Sequence, residues 1–419
     1  MVAPVAPAAA RRILLADADA FFVAVARRVD PEGAGRARLL IVGGRPGSRG
    51  VVCSASYEAR TFGVRSAMPI SRALRLCPAA MCVPVPRGEC SRLHRAIARV
   101  LGQFAPTVEA ASIDEWYLDL SGTEALYRNA PLADTAARIR AAVSAETGLS
   151  VSLGGGTNRL IAKLAVELAK PRPGTEATGI FVVAPGEEES FMRRFDLADI
   201  PGVGPRFRAR LEQAGLRTVR DLLSREPAAL ARSIGTNETA WLLARAHGQG
   251  GDSVVSRDRS RSLSHEETFA RDIGEDGALE RELLALSAAV ASDLRAHRLT
   301  TRTISVKLRD ADFRTRRASR TLAAPVVGDR IIFGTARELL RKLRRARRVP
   351  ARLLGIALTT LEGAEADAQL SLLTDDGTQG DTPRDRTLAH TVDAVRAKFG
   401  RTAIGPGSIA TETRRTRKR

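Results

Sequence analysis

The chain has little of what stabilises secreted or zinc-stapled proteins. Its 419 residues include four cysteines, Cys53, Cys77, Cys82 and Cys90. None form a C-x-x-C pair and no histidine stands at ligand spacing from them, which excludes a zinc ribbon and a disulfide framework and leaves reduced thiols as the expectation. No apolar run approaches the roughly 18 residues of a membrane span. The segment from Met1 to Ala10 has no basic n-region, so a secretory leader is not expected and the protein is placed in the cytoplasm, off the membrane. Aromatic residues make up only 4% of the chain, and no internal repeat recurs at a fixed period.

Positive charge, by contrast, is abundant. There are 66 Lys plus Arg against 47 Asp plus Glu, a net charge of +19. An excess of this size points to a polyanion, and nucleic acid is the expected partner. With so few aromatic rings, contact would rest on phosphate neutralisation more than on base stacking. Hydrophobic residues at 44% are ample for buried cores, and the length suggests two to four domains.

Hydrophobic patterning predicts a buried strand over 13–19, a helix from Phe21 to Arg28, and strands over 39–42 and 51–54 with glycine- and proline-rich turns between them. Helices follow at 69–77 and 89–104. Strands at 108–111 and 116–120 flank Ser112-Ile-Asp-Glu115. A helix over 132–147 and a strand over 149–153 complete the order of a split βαβ, ferredoxin-like domain carrying one insertion. Residues 196–250 read as helices punctuated by glycine, and 248–262 as a linker. A second α/β segment has helices at 278–297 and 329–346 and strands near 302–309, 313–322 and 352–361. The last stretch is polar and ends in a run of Arg and Lys.

Asp17 and Asp19 close the first strand, and Asp114 and Glu115 lie in a turn between two others. If these strands are neighbours, several carboxylates meet at one sheet edge, and like charges persist together only if a cation holds them. All-oxygen donors suit Mg2+. Two such ions about 4 Å apart serve in-line displacement at phosphorus, one activating the attacking hydroxyl and the other the leaving pyrophosphate.

The motifs Asp17-Ala-Asp-Ala-Phe-Phe22, Ser56-Tyr-Glu-Ala-Arg60, Phe62-Gly-Val-Arg-Ser-Ala-Met-Pro69, Ser112-Ile-Asp-Glu115 and Ala169-Lys-Pro171 resemble, in order, those of the Y-family (translesion) DNA polymerases, the bacterial DNA polymerase IV type being nearest. The resemblance spans roughly 11–373. It implies an α+β multidomain fold, a right-hand polymerase with a ferredoxin-like palm (1–28 and 88–177), small fingers (29–87), a helical thumb with a helix–hairpin–helix (178–248), a linker (249–262), an α/β little finger (263–362) and a flexible tail (363–419).

It also implies an error-prone DNA polymerase for translesion synthesis, adding deoxynucleotides to a primer 3′ end without proofreading. Asp17, Asp114 and Glu115 match the catalytic, metal-binding carboxylates, the Ala18 carbonyl adds a ligand, and two Mg2+ ions are the expected cofactor, with Mn2+ as a substitute. Asp19 is expected to be structural. Phe22 matches the steric gate against a 2′-hydroxyl. Ser54, Tyr57, Arg60 and Lys170 match the groups that hold the triphosphate, as their donor chemistry suits, and backbone amides near Ala20–Phe22 add to that cradle.

In Ile200-Pro-Gly-Val-Gly-Pro205, Gly202 and Gly204 match a hairpin that meets a DNA phosphate. Arg302, Lys307, Arg309, Arg314, Arg316, Arg317 and Arg320 are expected on the DNA-gripping sheet of the little finger. Gln369-Leu370-Ser-Leu372-Leu373 resembles the peptide that binds the sliding clamp. Expected partners are therefore primer–template DNA, deoxynucleoside triphosphates and the clamp, for a monomeric enzyme.

Three positions depart from the family pattern. Trp116 follows the Asp-Glu pair where a small residue is usual. Arg159 replaces a lysine. Gly154-Gly-Gly156 is unusually glycine-rich and is expected to loosen its strand. A catalytically inactive, polymerase-like adaptor is the alternative, and the retained carboxylates argue against it. A generic basic DNA-binding protein would leave the ordered motifs unexplained.

Overall fold

The computed structural model describes residues 10–171, 177–251, 253–255, 260–363, 381–400, 403–405 and 407. The chain divides into two compact units, Met1–Arg257 and Asp258–Arg419.

The first unit opens with β1 (Ile13–Ala18) and α1 (Phe21–Val29). Next come β2 (Leu40–Gly43), β3 (Val52–Ala55), α2 (Tyr57–Thr61), α3 (Ile70–Leu76), β4 (Met81–Pro84) and α4 (Arg87–Leu101). After these lie β5 (Thr107–Ala110), β6 (Glu115–Asp119), α5 (Leu132–Thr147), β7 (Val151–Gly156), α6 (Arg159–Ala169) and β8 (Ile180–Val182). A five-stranded sheet in the order β5-β6-β1-β7-β8 is the frame of the site, and β2, β3 and β4 make a separate three-stranded sheet within the expected fingers segment.

Every residue of β1 is buried, because helices cover both faces of the larger sheet. Leu14, Ala16, Trp116 and Leu118 point into a core with α4 and α5, and Ile13, Leu15 and Tyr117 meet Ala162 and Val166 of α6. A two-sided burden of this kind explains the near-continuous apolar run of β1. The glycines of β7 do not loosen it. A Cβ on Gly154 would fall 2.1 Å from the Val166 amide nitrogen and one on Gly156 2.3 Å from Ile161. They let α6 lie directly on the sheet, the opposite of the expected effect.

Short helices α7 (Glu188–Met192), α8 (Pro205–Gln213), α9 (Val219–Leu223), α10 (Pro227–Ile234) and α11 (Thr236–Ala246) occupy the expected thumb segment, and their core includes Leu160, Ile161 and Leu164 of α6. Val254, in the expected linker, is buried against the outer face of the palm sheet.

The second unit is a four-stranded antiparallel sheet, β11-β10-β12-β9, built from β9 (Ser262–Ile273), β10 (Leu299–Asp310), β11 (Thr315–Val326) and β12 (Ala351–Gly363). Helices α12 (Asp276–Ala296) and α13 (Asp329–Ala346) pack on the face that carries Ile304, Val306, Leu308 and Ile356.

The tail is not wholly irregular, contrary to expectation: Pro383–Phe399 forms α14. It is held by acid–base contacts within this unit. Asp393 accepts twice from the guanidinium of Arg295, at 2.6 and 3.0 Å, and Asp385 pairs with Arg330 at 3.0 Å. Asp381 accepts from the Val327 and Gly328 amides ahead of α13. Residues 369–373, the expected clamp peptide, lie outside the described residues.

Candidate active site

β1 lies between β6 and β7, with Asp17 directly opposite Glu115 on one side and Ser152 on the other. Period-two alternation sends Asp17 and Glu115 toward α6. Two carboxylates opposite one another repel, and they are answered by two lysines, Lys163 on α6 and Lys170 at its C-cap. Lys170 Nζ lies 2.8 Å from Asp17 and Lys163 Nζ 2.6 Å from Glu115. Burial pushes the Asp17 carboxyl up to about 7; Lys170 opposes that rise and the Glu115 charge adds to it. For Lys170, burial lowers the pKa, but Asp17 and Glu167 more than offset it and the net shift is upward. An acid held this far from water is one whose ionised form a bound cation would stabilise.

Asp114 sits at the end of the turn before β6. Its backbone carbonyl accepts from the Ala18 amide at 2.9 Å, which ties the turn to the end of β1. Its side chain takes the Ser112 hydroxyl at 2.5 Å. Among the described residues no three His, Cys, Asp or Glu side chains converge closely enough to hold a metal ion. The structure thus pairs Asp17 with Glu115 and leaves the Asp114 carboxylate on Ser112. The donor set still fits a hard divalent cation, since it is all oxygen and it is balanced only by lysines. Asp19 turns toward β7: its carboxylate accepts from the Ser150 hydroxyl at 2.8 Å and the Ser152 hydroxyl at 2.7 Å.

Ala20, at the start of α1, has φ 45° and ψ 43°, a left-handed conformation that is uncommon for a residue with a Cβ. No side chain caps the helix there. Phe21 is buried, and Phe22 is half-buried against it, edge to face with centroids 5.5 Å apart.

From α2, beside the smaller sheet, Arg60 gathers the phosphate candidates. Its guanidinium donates to the Ala55 carbonyl at 3.0 Å and the Ser54 hydroxyl at 3.4 Å, and lies 5.0 Å over the Tyr57 ring. The Tyr57 hydroxyl is shifted upward, by burial first and then by the charge of Asp19. In the thumb region Gly202 has φ +103°, and a Cβ there would meet the Trp241 ring at 2.9 Å. Gly204 opens α8, and a Cβ there would stand in open space.

Parity corrects the set expected on the second unit. Lys307 faces Arg317 across β10–β11, while Leu308 faces Arg316 and Ile304 faces Arg320. Arg316 is therefore on the helix-covered side. It binds the fully buried Asp310 at 2.8 Å and donates to the Leu343 and Arg347 carbonyls, so its guanidinium is engaged within the second unit on the side away from the open face. Arg320 likewise reaches Glu338 of α13 at 2.6 Å. Lys307, Arg309 and Arg317 share the open face with Ser305, Ser319, Gly355 and Ala357. Lys307 pairs there with Glu266 at 2.5 Å. Arg314 is exposed at the β10–β11 turn, and Arg302 donates to the Leu322 and Ala323 carbonyls.

Lys163 was not legible as a site residue in the motifs. Its place on the helix that leads into Lys170 was the available signal. Arg159 keeps the charge of the lysine it replaces. It lies 4.0 Å over the Tyr117 ring and pairs with the buried Glu109, which also accepts from the Val255 amide at 3.1 Å. Trp116 is fully buried on the far side of the sheet from the carboxylates, stacked on His94.

Comparison with known proteins agrees. The impB/mucB/samB family model matches residues 16–167, and the model of that family's C-terminal domain matches 260–372. DNA polymerase IV of Dehalococcoides mccartyi is 33% identical over 397 residues, covering 95% of this chain and 97% of the relative. DNA polymerase IV of Caulobacter vibrioides is 36% identical over 394 residues, covering 93% and 92%. A Y-family DNA polymerase chimera superposes with a TM-score of 0.73 at 24% identity, over 84% of this chain and 99% of that one. An insertion ternary complex of the Dbh DNA polymerase gives a TM-score of 0.59 over 83% and 98%. With two-strand pairing of Asp17 and Glu115 and relatives matched nearly end to end, the chain belongs to the Y-family DNA polymerases, in the DNA polymerase IV group.

Proposed function

We propose that this DNA-directed DNA polymerase of the translesion type performs nucleotidyl transfer at the Asp17–Asp114–Glu115 edge of its palm sheet. The observation that carries the reading is the opposed pair Asp17 and Glu115, one of them largely buried, with Asp114 tied by its backbone to the end of β1. Asp17, Glu115, the Ala18 carbonyl and a rotated Asp114 would hold divalent cations, Mg2+ by donor chemistry or Mn2+ in its place. When bound, such ions supply charge stabilisation at the reacting phosphoryl group and lower the pKa of the attacking hydroxyl.

The chain's own residues do the rest. Lys163 and Lys170 neutralise Glu115 and Asp17 in this structure, and with divalent cations held by those carboxylates both lysines would be free for the anionic nucleotide. Arg60, Ser54 and Tyr57 donate to the triphosphate. The uncapped amides at the start of α1 face the same anion, a role suited to a helix N-terminus. Phe22 closes the space beside the sugar C2′ and so excludes ribonucleotides.

Primer–template DNA lies against Gly202 and Gly204 of the thumb and the open, small-residue face of the second unit, where Lys307, Arg309, Arg314 and Arg317 neutralise phosphates. The peptide 369–373 is assigned to a sliding clamp by its resemblance alone.

The test is single-nucleotide primer extension with Mg2+, comparing the natural chain with Asp114→Asn/Glu115→Gln. Extension by the first and none by the second, with duplex affinity unchanged, is expected. Equal extension by both would remove the carboxylates from the chemistry. Failure of both to extend while both bind the duplex would favour the inactive adaptor.

A further inference from the structure

We propose that His94 is a positioning residue for the metal-binding turn and that it grips the catalytic pair from both flanks. The inference rests on reading Asp17, Asp114 and Glu115 as metal ligands. His94 projects from the middle of α4, which is anchored in the palm core by Cys90, Leu93, Ile97, Val100 and Leu101. Its Nδ1 lies 2.9 Å from the Ile113 carbonyl. A carbonyl can only accept, so Nδ1 carries the proton and donates. Its ring lies nearly parallel to that of Trp116, 24° apart with centroids at 5.1 Å.

Ile113 immediately precedes Asp114 and Trp116 immediately follows Glu115. One imidazole therefore touches the residues on either side of the Asp114–Glu115 pair. Apart from the Lys163–Glu115 ion pair, the other bonds of the turn among the described residues come from backbone or from within it. The Asp114 carbonyl takes the Ala18 amide, the Glu115 carbonyl takes the Ala111 and Ser112 amides, and Ser112 holds the Asp114 carboxylate. His94 supplies a side-chain tie from a separate helix whose inner face is buried in the palm core.

Trp116 adds little polar anchoring of its own, because its indole Nε1 is buried and makes no hydrogen bond in this structure. It fixes the turn by shape, and His94 is the surface it rests on. Removing the ring would leave the Ile113 carbonyl without its donor and open a space under Trp116. Both ends of the dipeptide would then shift relative to Asp17. Groups that orient metal ligands from behind typically matter by about 10- to 100-fold in metal affinity.

A histidine that merely fills the core would show a different signature. The experiment measures Mn2+ binding to the whole chain by EPR of the free ion, with no nucleotide or DNA present, and in parallel the Mg2+ concentration for half-maximal primer extension. His94→Phe keeps a ring against Trp116 but removes the donor; His94→Asn keeps a donor near the Nδ1 position and removes the ring. Asp17→Asn/Glu115→Gln tests the metal reading itself.

Expected results are loss of Mn2+ binding in the carboxylate double variant, about tenfold weaker binding in His94→Phe, and substantial recovery in His94→Asn. The Mg2+ requirement should rise in step in His94→Phe, and kcat should approach the natural value at saturating Mg2+. If the carboxylate variant loses Mn2+ but His94→Phe binds it as the natural chain does, the positioning role is overturned and the metal reading stands. If the carboxylate variant binds Mn2+ normally, the metal reading falls and His94 has no metal-binding turn to position.

Discussion

The palm sheet and the sheet of the second unit handle charge in opposite ways. The palm sheet is covered by helices on both faces, and the charges at its edge are few, crowded and partly buried. The sheet of the second unit is covered on one face only, and its open face carries basic residues among serines and glycines. A buried charge is expensive and must be matched atom by atom. An exposed one is cheap, screened by salt, and acts in numbers. The palm edge is thus suited to chemistry that one substitution abolishes. The open face is suited to a grip that weakens by degrees.

The largest effect should come from the palm. Asp114→Asn/Glu115→Gln should lower the rate of nucleotide incorporation by about three orders of magnitude, the several kcal/mol expected of lost metal-ion charge stabilisation. Duplex binding at fixed salt checks that the grip is untouched. Next is a charge in the second unit that behaves like a palm charge. Asp310 is fully buried between Arg316 and Arg347. Asp310→Ala should destabilise that unit by about 3–5 kcal/mol, read as a fall in its thermal midpoint, because Arg316 loses its carboxylate partner and Arg347 keeps only Asp312. A loss of DNA affinity without loss of stability would mean that parity had been misassigned.

A smaller change is expected at Phe22. Phe22→Ala should relax discrimination against ribonucleotides by a factor on the order of 10², measured as the ratio of kcat/KM for the two sugars, since a pocket that rejects one added hydroxyl by sterics has about that range. Lys307→Gln/Arg309→Gln/Arg317→Gln should leave the chemical step intact and reduce the slope of log binding constant against log salt by up to about 3, at roughly 0.9 per phosphate contact. The same charge removed at Arg316 should change the slope little. The smallest effect concerns Phe313, exposed in the β10–β11 turn with φ +66°. Phe313→Gly should stabilise the second unit by about 1 kcal/mol by relieving left-handed strain, a gain visible in denaturant unfolding.

Much of both sheets was legible in the sequence, and for different reasons. The apolar run of β1 and the helical period of 132–147 are local signals that the structure keeps nearly residue for residue. The ordered motifs named the carboxylates before any geometry was known. Parity was harder to read. A run of arginines in β11 looks like one basic surface, yet alternation divides it, and Arg316 and Arg320 fall on the helix side. Helix α6 was not among the predicted helices, and the glycines of β7 read as looseness, when they let that helix lie close on the sheet. The tail helix α14 was masked by polar composition; its stability comes from Arg295, Arg330 and two backbone amides far away in sequence. His94 carried no motif at all, and only packing joins it to Trp116.

The central claim is that catalysis and grip reside in separate sheets. Primer extension measured from low to high salt for the natural chain, Glu115→Gln and Lys307→Gln/Arg309→Gln/Arg317→Gln tests it most directly. The account predicts that Glu115→Gln is inactive at every salt concentration, while the triple variant matches the natural chain at low salt and fails at a lower salt concentration than it does. A triple variant inactive at low salt, or Glu115→Gln rescued by lowering salt, would contradict it.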